Sequence, residues 1–156
     1  LQFIRAEGFV FGHMADEGFL QSDAGELLRF RKQIGAEQIL IFTDIKKKHS
    51  SHSMTADVSL EDTVEAAEFF LSDGVIITGT HTGKPVNQEE LGRVYASAQL
   101  PVLVGSGVTP KGLPEIFDTA DAFIVGSYFK QDGNWKNNPD PQRIEALVKA
   151  RHSLIS

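Results

Sequence analysis

The stretch "PVLVGSGVTP", residues 101–110, decides the fold. Val102, Leu103 and Val104 are consecutive, apolar and mostly β-branched, as a strand covered on both faces requires. The run stops at Gly105-Ser106-Gly107. Thr109-Pro110 then supplies a capping hydroxyl and a proline for the first helical position. About twenty residues on, "AFIVGSYF" (122–129) repeats the pattern, an apolar run ending in Gly126-Ser127.

Three further apolar runs precede these, and the five expected strands are Phe3–Glu7, Ile39–Thr43, Val75–Thr78, Val102–Val104 and Phe123–Val125. Amphipathic helical segments separate them. Asp23 opens one, with Glu26 completing a capping box and Gly35 ending it. Ser59 with Asp62 opens the next, Asn87 with Glu90 a third, Thr109 a short fourth, and Asp140-Pro141 the last. Strand and helix alternate throughout, so the strands are parallel and joined by right-handed crossovers. The polar loop "QDGNWKNNPD" (131–140) is the least regular segment and carries the only tryptophan, Trp135.

The chain has 156 residues, expected to form a single domain over 1–156, with a net charge of −6 and no cysteine. That excludes disulfides, thiolate catalysis and Cys-based zinc sites. The acidic balance argues against a nucleic-acid surface or an anionic membrane surface. No apolar stretch is long enough to span a membrane. With no signal-like segment, an intracellular soluble protein is expected, cytoplasmic or organellar. The chain begins at Leu1 rather than Met, and reads as a piece of something longer or as a processed product.

In parallel α/β folds, open sheet or closed barrel, ligands meet the carboxyl ends of the strands. Here two successive strands end in glycine and serine. Glycines let free N–H groups approach an anion, helix starts add positive dipole ends, and serine adds a hydroxyl. Gly105, Ser106, Gly107, Gly126 and Ser127 are therefore the candidate phosphate cup. "FTDIKKKHSSHS" (42–53) follows another strand. Asp44, Lys46 and Lys48 alternate and would share one side of an extended segment. Asp44 and Lys46 are the candidate acid–base pair, with His49 beside them, and a lysine of depressed pKa would also suit Schiff-base formation. Lys48, Glu7 and the glycine-bearing strand end Thr78-Gly79-Thr80-His81-Thr82-Gly83 are further candidates. Arg5 and Glu7 also fit an ordinary ion pair. The spacing of His49 and His52 suits no metal set, and no metal is expected.

The stretches "FIRAEGF" (3–9), "DIKKKHSS" (44–51), "VIITGTHTGKPV" (75–86), "PVLVGSGVTP" and "AFIVGSYFKQDGNW" (122–135) together resemble the BtpA/SgcQ family along essentially the whole chain. The resemblance implies a phosphate-binding (β/α)8 TIM barrel. Asp44, Lys46 and His49 would match the fifth strand's motif, Gly105–Gly107 the seventh and Gly126-Ser127 the eighth. Indole-glycerol-phosphate synthase and the tryptophan synthase α subunit carry a similar double Gly-Ser strand end. A full barrel needs about 250 residues. The expectation is thus a partial barrel of strands four to eight, with an open parallel α/β sheet as the alternative.

The function implied is binding of a phosphorylated small molecule, with lyase-, isomerase- or aldolase-like chemistry. The alternative is a non-catalytic assembly or stabilisation factor of the photosystem I biogenesis type. No cofactor is called for, although the phosphate of FMN would fit the same cup. Two open strand edges imply a homo-oligomer, or pairing with the N-terminal half of its own barrel.

Overall fold

The protein is described by a computed structural model covering residues 1–46, 48–79 and 83–155. Five parallel strands form the main sheet: β1 (Phe3–Ala6), β4 (Leu40–Ile45), β6 (Gly74–Ile77), β7 (Val102–Val104) and β8 (Ala122–Phe123), side by side in that order. Each is one crossover from the next, as the alternation requires. The crossovers carry α1 (Ala24–Gln33), α2 (Leu60–Phe69), α3 (Gln88–Ser97) and α4 (Leu113–Ile116), and α5 (Pro141–Ile155) closes the chain. All residues of β6 and β7 are buried, which explains their unbroken apolar character. The main core joins Val75, Ile77, Val102 and Val104 to Val64 of α2 and Leu91 and Val94 of α3. A smaller cluster under α1 is built on Phe9, Ala24 and Ile41.

Local chemistry starts most helices where the sequence places them. The Ser59 hydroxyl accepts from the Asp62 amide at 3.0 Å and the Asp62 carboxylate accepts from the Ser59 amide at 3.1 Å, a complete capping box. Asn87 accepts from the Glu90 amide at 3.1 Å. The Thr109 hydroxyl accepts from the Gly112 amide at 3.2 Å, so Pro110 lies in a turn leading into α4. Asp140 accepts from the Gln142 amide at 2.9 Å at the start of α5. The expected box at Asp23 does not form. Asp23 sits at φ −131°, ψ 14°, outside the extended region a capping side chain needs, and its amide donates to the Gly8 carbonyl. Burial raises the Asp23 carboxyl above its usual range.

A second sheet was not legible in the sequence. β2 (His13–Ala15) and β3 (Gly18–Leu20) form a hairpin, and β5 (Ser50–Ser51) adds to β2 antiparallel. These elements lie in the segments leaving β1 and β4 at their carboxyl ends. They therefore wall one side of the face where ligands meet this architecture.

Candidate functional site

The carboxyl ends of β7 and β8 border a cavity of about 560 Å³. Gly105, Ser106, Gly107, Gly126 and Ser127 all line it, so both Gly-Ser strand ends meet in one place. Among the described residues, Arg5, Lys48, Lys130 and Arg143 supply four cationic side chains to the wall, and no Asp or Glu lines it.

The two glycines play different parts. Gly107 has φ +71°, and a Cβ built there would lie 2.3 Å from the Lys84 carbonyl oxygen. Its lack of a side chain lets the β7 loop close against the loop after β6. Ser106 fastens the same contact: its hydroxyl accepts from the Gly79 amide at 2.7 Å and donates to the Lys84 carbonyl at 3.3 Å. The Ser106 side chain thus joins two strand-end loops. The amides of Gly107, Gly126 and Ser127 are committed to no acceptor among the described residues. A Cβ on Gly126 would meet nothing within 4 Å.

Asp44 and Lys46 both border one narrow cleft, but each takes another partner. The strand ends at Ile45, and Lys46 turns into the left-handed region at φ +47°, so the alternation that would align the two side chains breaks between them. The Lys46 ammonium donates to the Val58 carbonyl at 2.6 Å. The fully buried Asp44 carboxylate instead takes Arg5 in a bidentate pair, 2.7 Å from Nε and 2.6 Å from the terminal nitrogen. The hydrogen bonds to Asp44 hold the Arg5 guanidinium above its already high range. Arg5, read from the sequence as a partner for Glu7, is thereby placed in the cavity wall.

Lys48 lines both this cavity and a neighbouring one of about 740 Å³ that contains Lys46, His49, His52, Thr78 and Gly79. Burial first, and then the Arg5 charge, push the Lys48 ammonium below the ordinary lysine range, against smaller opposing contributions from Asp44 and Glu7. His49 is exposed and also has a left-handed backbone, at φ +56°. The Thr78 hydroxyl is buried with no hydrogen-bond partner among the described residues. Glu7 borders a narrow cleft with Asp44, His13 and His52. Lys47, Thr80, His81 and Thr82 lie outside the described residues. Among the described residues no cluster of metal-ligating side chains occurs.

Sequence reading missed Lys130 and Arg143. Arg143 belongs to α5, where its Nε donates to the Tyr128 carbonyl at 2.6 Å and its guanidinium lies 4.4 Å from the Tyr128 ring centre. Nothing local in the sequence marks a helix residue that folds back onto a strand end.

The sequence profile of the BtpA family matches residues 1–153. The chain belongs to the BtpA family. An uncharacterized mitochondrial protein of Caenorhabditis elegans is 50% identical over 154 residues, 99% of this chain and 55% of the relative. The photosystem I biogenesis protein BtpA of Synechocystis is 32% identical over 152 residues, 96% of this chain and 52% of the relative. This BtpA-family chain thus spans a little over half the length of these relatives. Among solved structures, thiamine phosphate pyrophosphorylase from Pyrococcus furiosus superposes with a TM-score of 0.63 at 13% identity, covering 99% of this chain and 61% of the enzyme. Wild-type GGGPS from Thermoplasma volcanium gives 0.55 at 15% identity, covering 97% and 62%. At such identities the likeness is one of fold. The five-stranded sheet is a half-barrel of the (β/α)8 class, and among the described residues no helix is long and apolar enough to cross a membrane.

Proposed function

We propose that this BtpA-family chain binds a phosphorylated small molecule at the carboxyl ends of β7 and β8, as an enzyme of the lyase, isomerase or aldolase kind. The observation that carries the reading is the meeting of two Gly-Ser strand ends in a cavity whose described lining holds four cationic side chains, one of them paired with Asp44, and no Asp or Glu. The phosphate accepts from the Gly107, Gly126 and Ser127 amides, as anions do at such loops. Lys48, whose ammonium burial and the Arg5 charge push below the ordinary lysine range, is the group placed to move a proton on the substrate. The Asp44–Arg5 pair steadies that region rather than supplying the mobile proton. Thermal unfolding in the presence of inorganic phosphate and ribose 5-phosphate tests the reading. Ligand at a hundred times its Kd stabilises by about 2.7 kcal/mol. An unchanged melting temperature with both would remove the phosphate site. It would favour the second reading, an assembly factor, which rests on the name of the Synechocystis relative.

Lys48 gives binding a signed pH dependence. A bound dianion favours the charged ammonium, so affinity is highest below the Lys48 titration. It falls as pH rises through that titration, which lies below that of a free lysine. The second ionisation of a phosphate ester, at about 6, is over by then. Calorimetry across alkaline pH is expected to show this fall, and Lys48→Met should flatten it. The same slope in the variant would assign the titration elsewhere.

The sheet has open edges at β1 and β8, and Leu1, Phe3, Phe30, Ile34 and Leu40 leave large apolar area exposed near the first of them. Exposed strand edges and apolar patches favour pairing. Light scattering on the 156-residue chain is expected to give a mass above 17.1 kDa, and a monomer at high concentration would rule out self-association.

A further inference from the structure

Trp135 is the only tryptophan of the chain, yet 64% of its surface is exposed. It lines the same cavity as the Gly-Ser strand ends. Its loop is held closely. The Gln131 amide donates to the Asn138 carbonyl at 2.9 Å, and the Asp140 amide donates to the Phe129 carbonyl at 2.7 Å. The Asn137 side-chain amide donates to the Gln131 carbonyl at 3.0 Å. Lys136 sits over the indole, its Nζ 5.3 Å from the ring centre. A large flat apolar surface is thus offered to solvent from a fixed loop, beside a cationic cup.

We infer that the ligand carries a flat unsaturated ring as well as its phosphate, and that the ring stacks on Trp135. This rests on the phosphate reading above. Phosphate and pentose alone would leave the indole uncovered and much of a 560 Å³ cavity unfilled, whereas that volume suits a ligand of nucleotide size. Val108 and Ile124 also line the cavity and add apolar wall, which a polyol would gain little from covering. The amides fix the phosphate, and the indole then selects for what is attached to it. The ligand class is a phosphorylated heterocycle, such as a nucleoside monophosphate.

Because Trp135 is the only indole, its fluorescence reports on the site alone. The chain is titrated with inorganic phosphate, ribose 5-phosphate, AMP, UMP and FMN, by fluorescence for the weakly absorbing ligands and by calorimetry for all. At least one ring-bearing phosphate is expected to bind about tenfold or more tighter than ribose 5-phosphate, the usual worth of one base–aromatic stack. Trp135→Ala should remove that margin while leaving ribose 5-phosphate unchanged, and Trp135→Phe should restore most of it. Trp135 is exposed, so the variants keep the fold. If AMP, UMP and FMN bind no tighter than ribose 5-phosphate, or if Trp135→Ala weakens all alike, the ring inference is overturned and the phosphate site stands. If inorganic phosphate and ribose 5-phosphate also fail to bind, the phosphate reading and the inference fall together.

Discussion

Arg5→Ala is expected to lower the unfolding free energy by roughly 3–5 kcal/mol, the usual cost of breaking a buried ion pair from one side. Asp44 is the reason. Its side chain has 0% exposure and its carboxylate is held by two short bonds from Arg5. Without the guanidinium the buried carboxylate loses its counter-ion and both of its short hydrogen bonds. The pair also ties β1 to β4 beyond the backbone ladder, since Arg5 sits opposite Phe42 and reaches along the strand to Asp44. A double variant, Arg5→Met with Asp44→Leu, removes both charges and should recover much of the loss. Urea unfolding of the two variants beside the unchanged chain measures this. A loss below about 1 kcal/mol for Arg5→Ala, as at an exposed ion pair, would show that water reaches Asp44.

The five parallel strands were legible because each holds a short apolar run near turn residues, and in β6 and β7 burial on both faces keeps that run unbroken. The meeting of the two Gly-Ser strand ends in one cavity was legible for a related reason. Glycine and serine at a strand's carboxyl end are cheap to recognise, and two of them in succession must converge once the strands are neighbours. What failed depended on backbone turns of one or two residues, or on long-range partners. The alternation of Asp44 and Lys46 assumed a strand that continues, whereas the chain turns at Lys46. Arg5 finds a partner 39 positions away, a match set by register rather than by local pattern. The hairpin at residues 13–20 has strands of three residues, with Asp16 and Glu17 between them, too short for periodicity to register. Arg143 reaches the cavity from α5, which only the tertiary fold brings near.

The largest effect on binding is expected at Gly126. Gly126→Leu should weaken phosphate binding by about a hundredfold. That corresponds to losing one or two amide bonds to a charged group, at roughly 1.5–3 kcal/mol each. The backbone at Gly126 is not left-handed, at φ −110° and ψ −86°, and nothing stands within 4 Å of an added Cβ. The new side chain therefore meets no neighbour at its Cβ, unlike one at Gly107. It occupies space in the cavity that Gly126 lines, and keeps an anion from the Gly126 and Ser127 amides. Gly107→Ala is the contrasting variant. There the added Cβ meets the Lys84 backbone and the residue must hold φ +71°, so a loss of folding stability accompanies any loss of binding. Binding lost at both sites, with the melting temperature lowered only at Gly107, separates a glycine kept for the ligand from one kept for the chain. The measurements are phosphate calorimetry and thermal unfolding on the same preparations. Unchanged phosphate affinity in Gly126→Leu would move the anion away from the β8 strand end, leaving the glycine there as nothing more than the start of the turn at Ser127–Phe129.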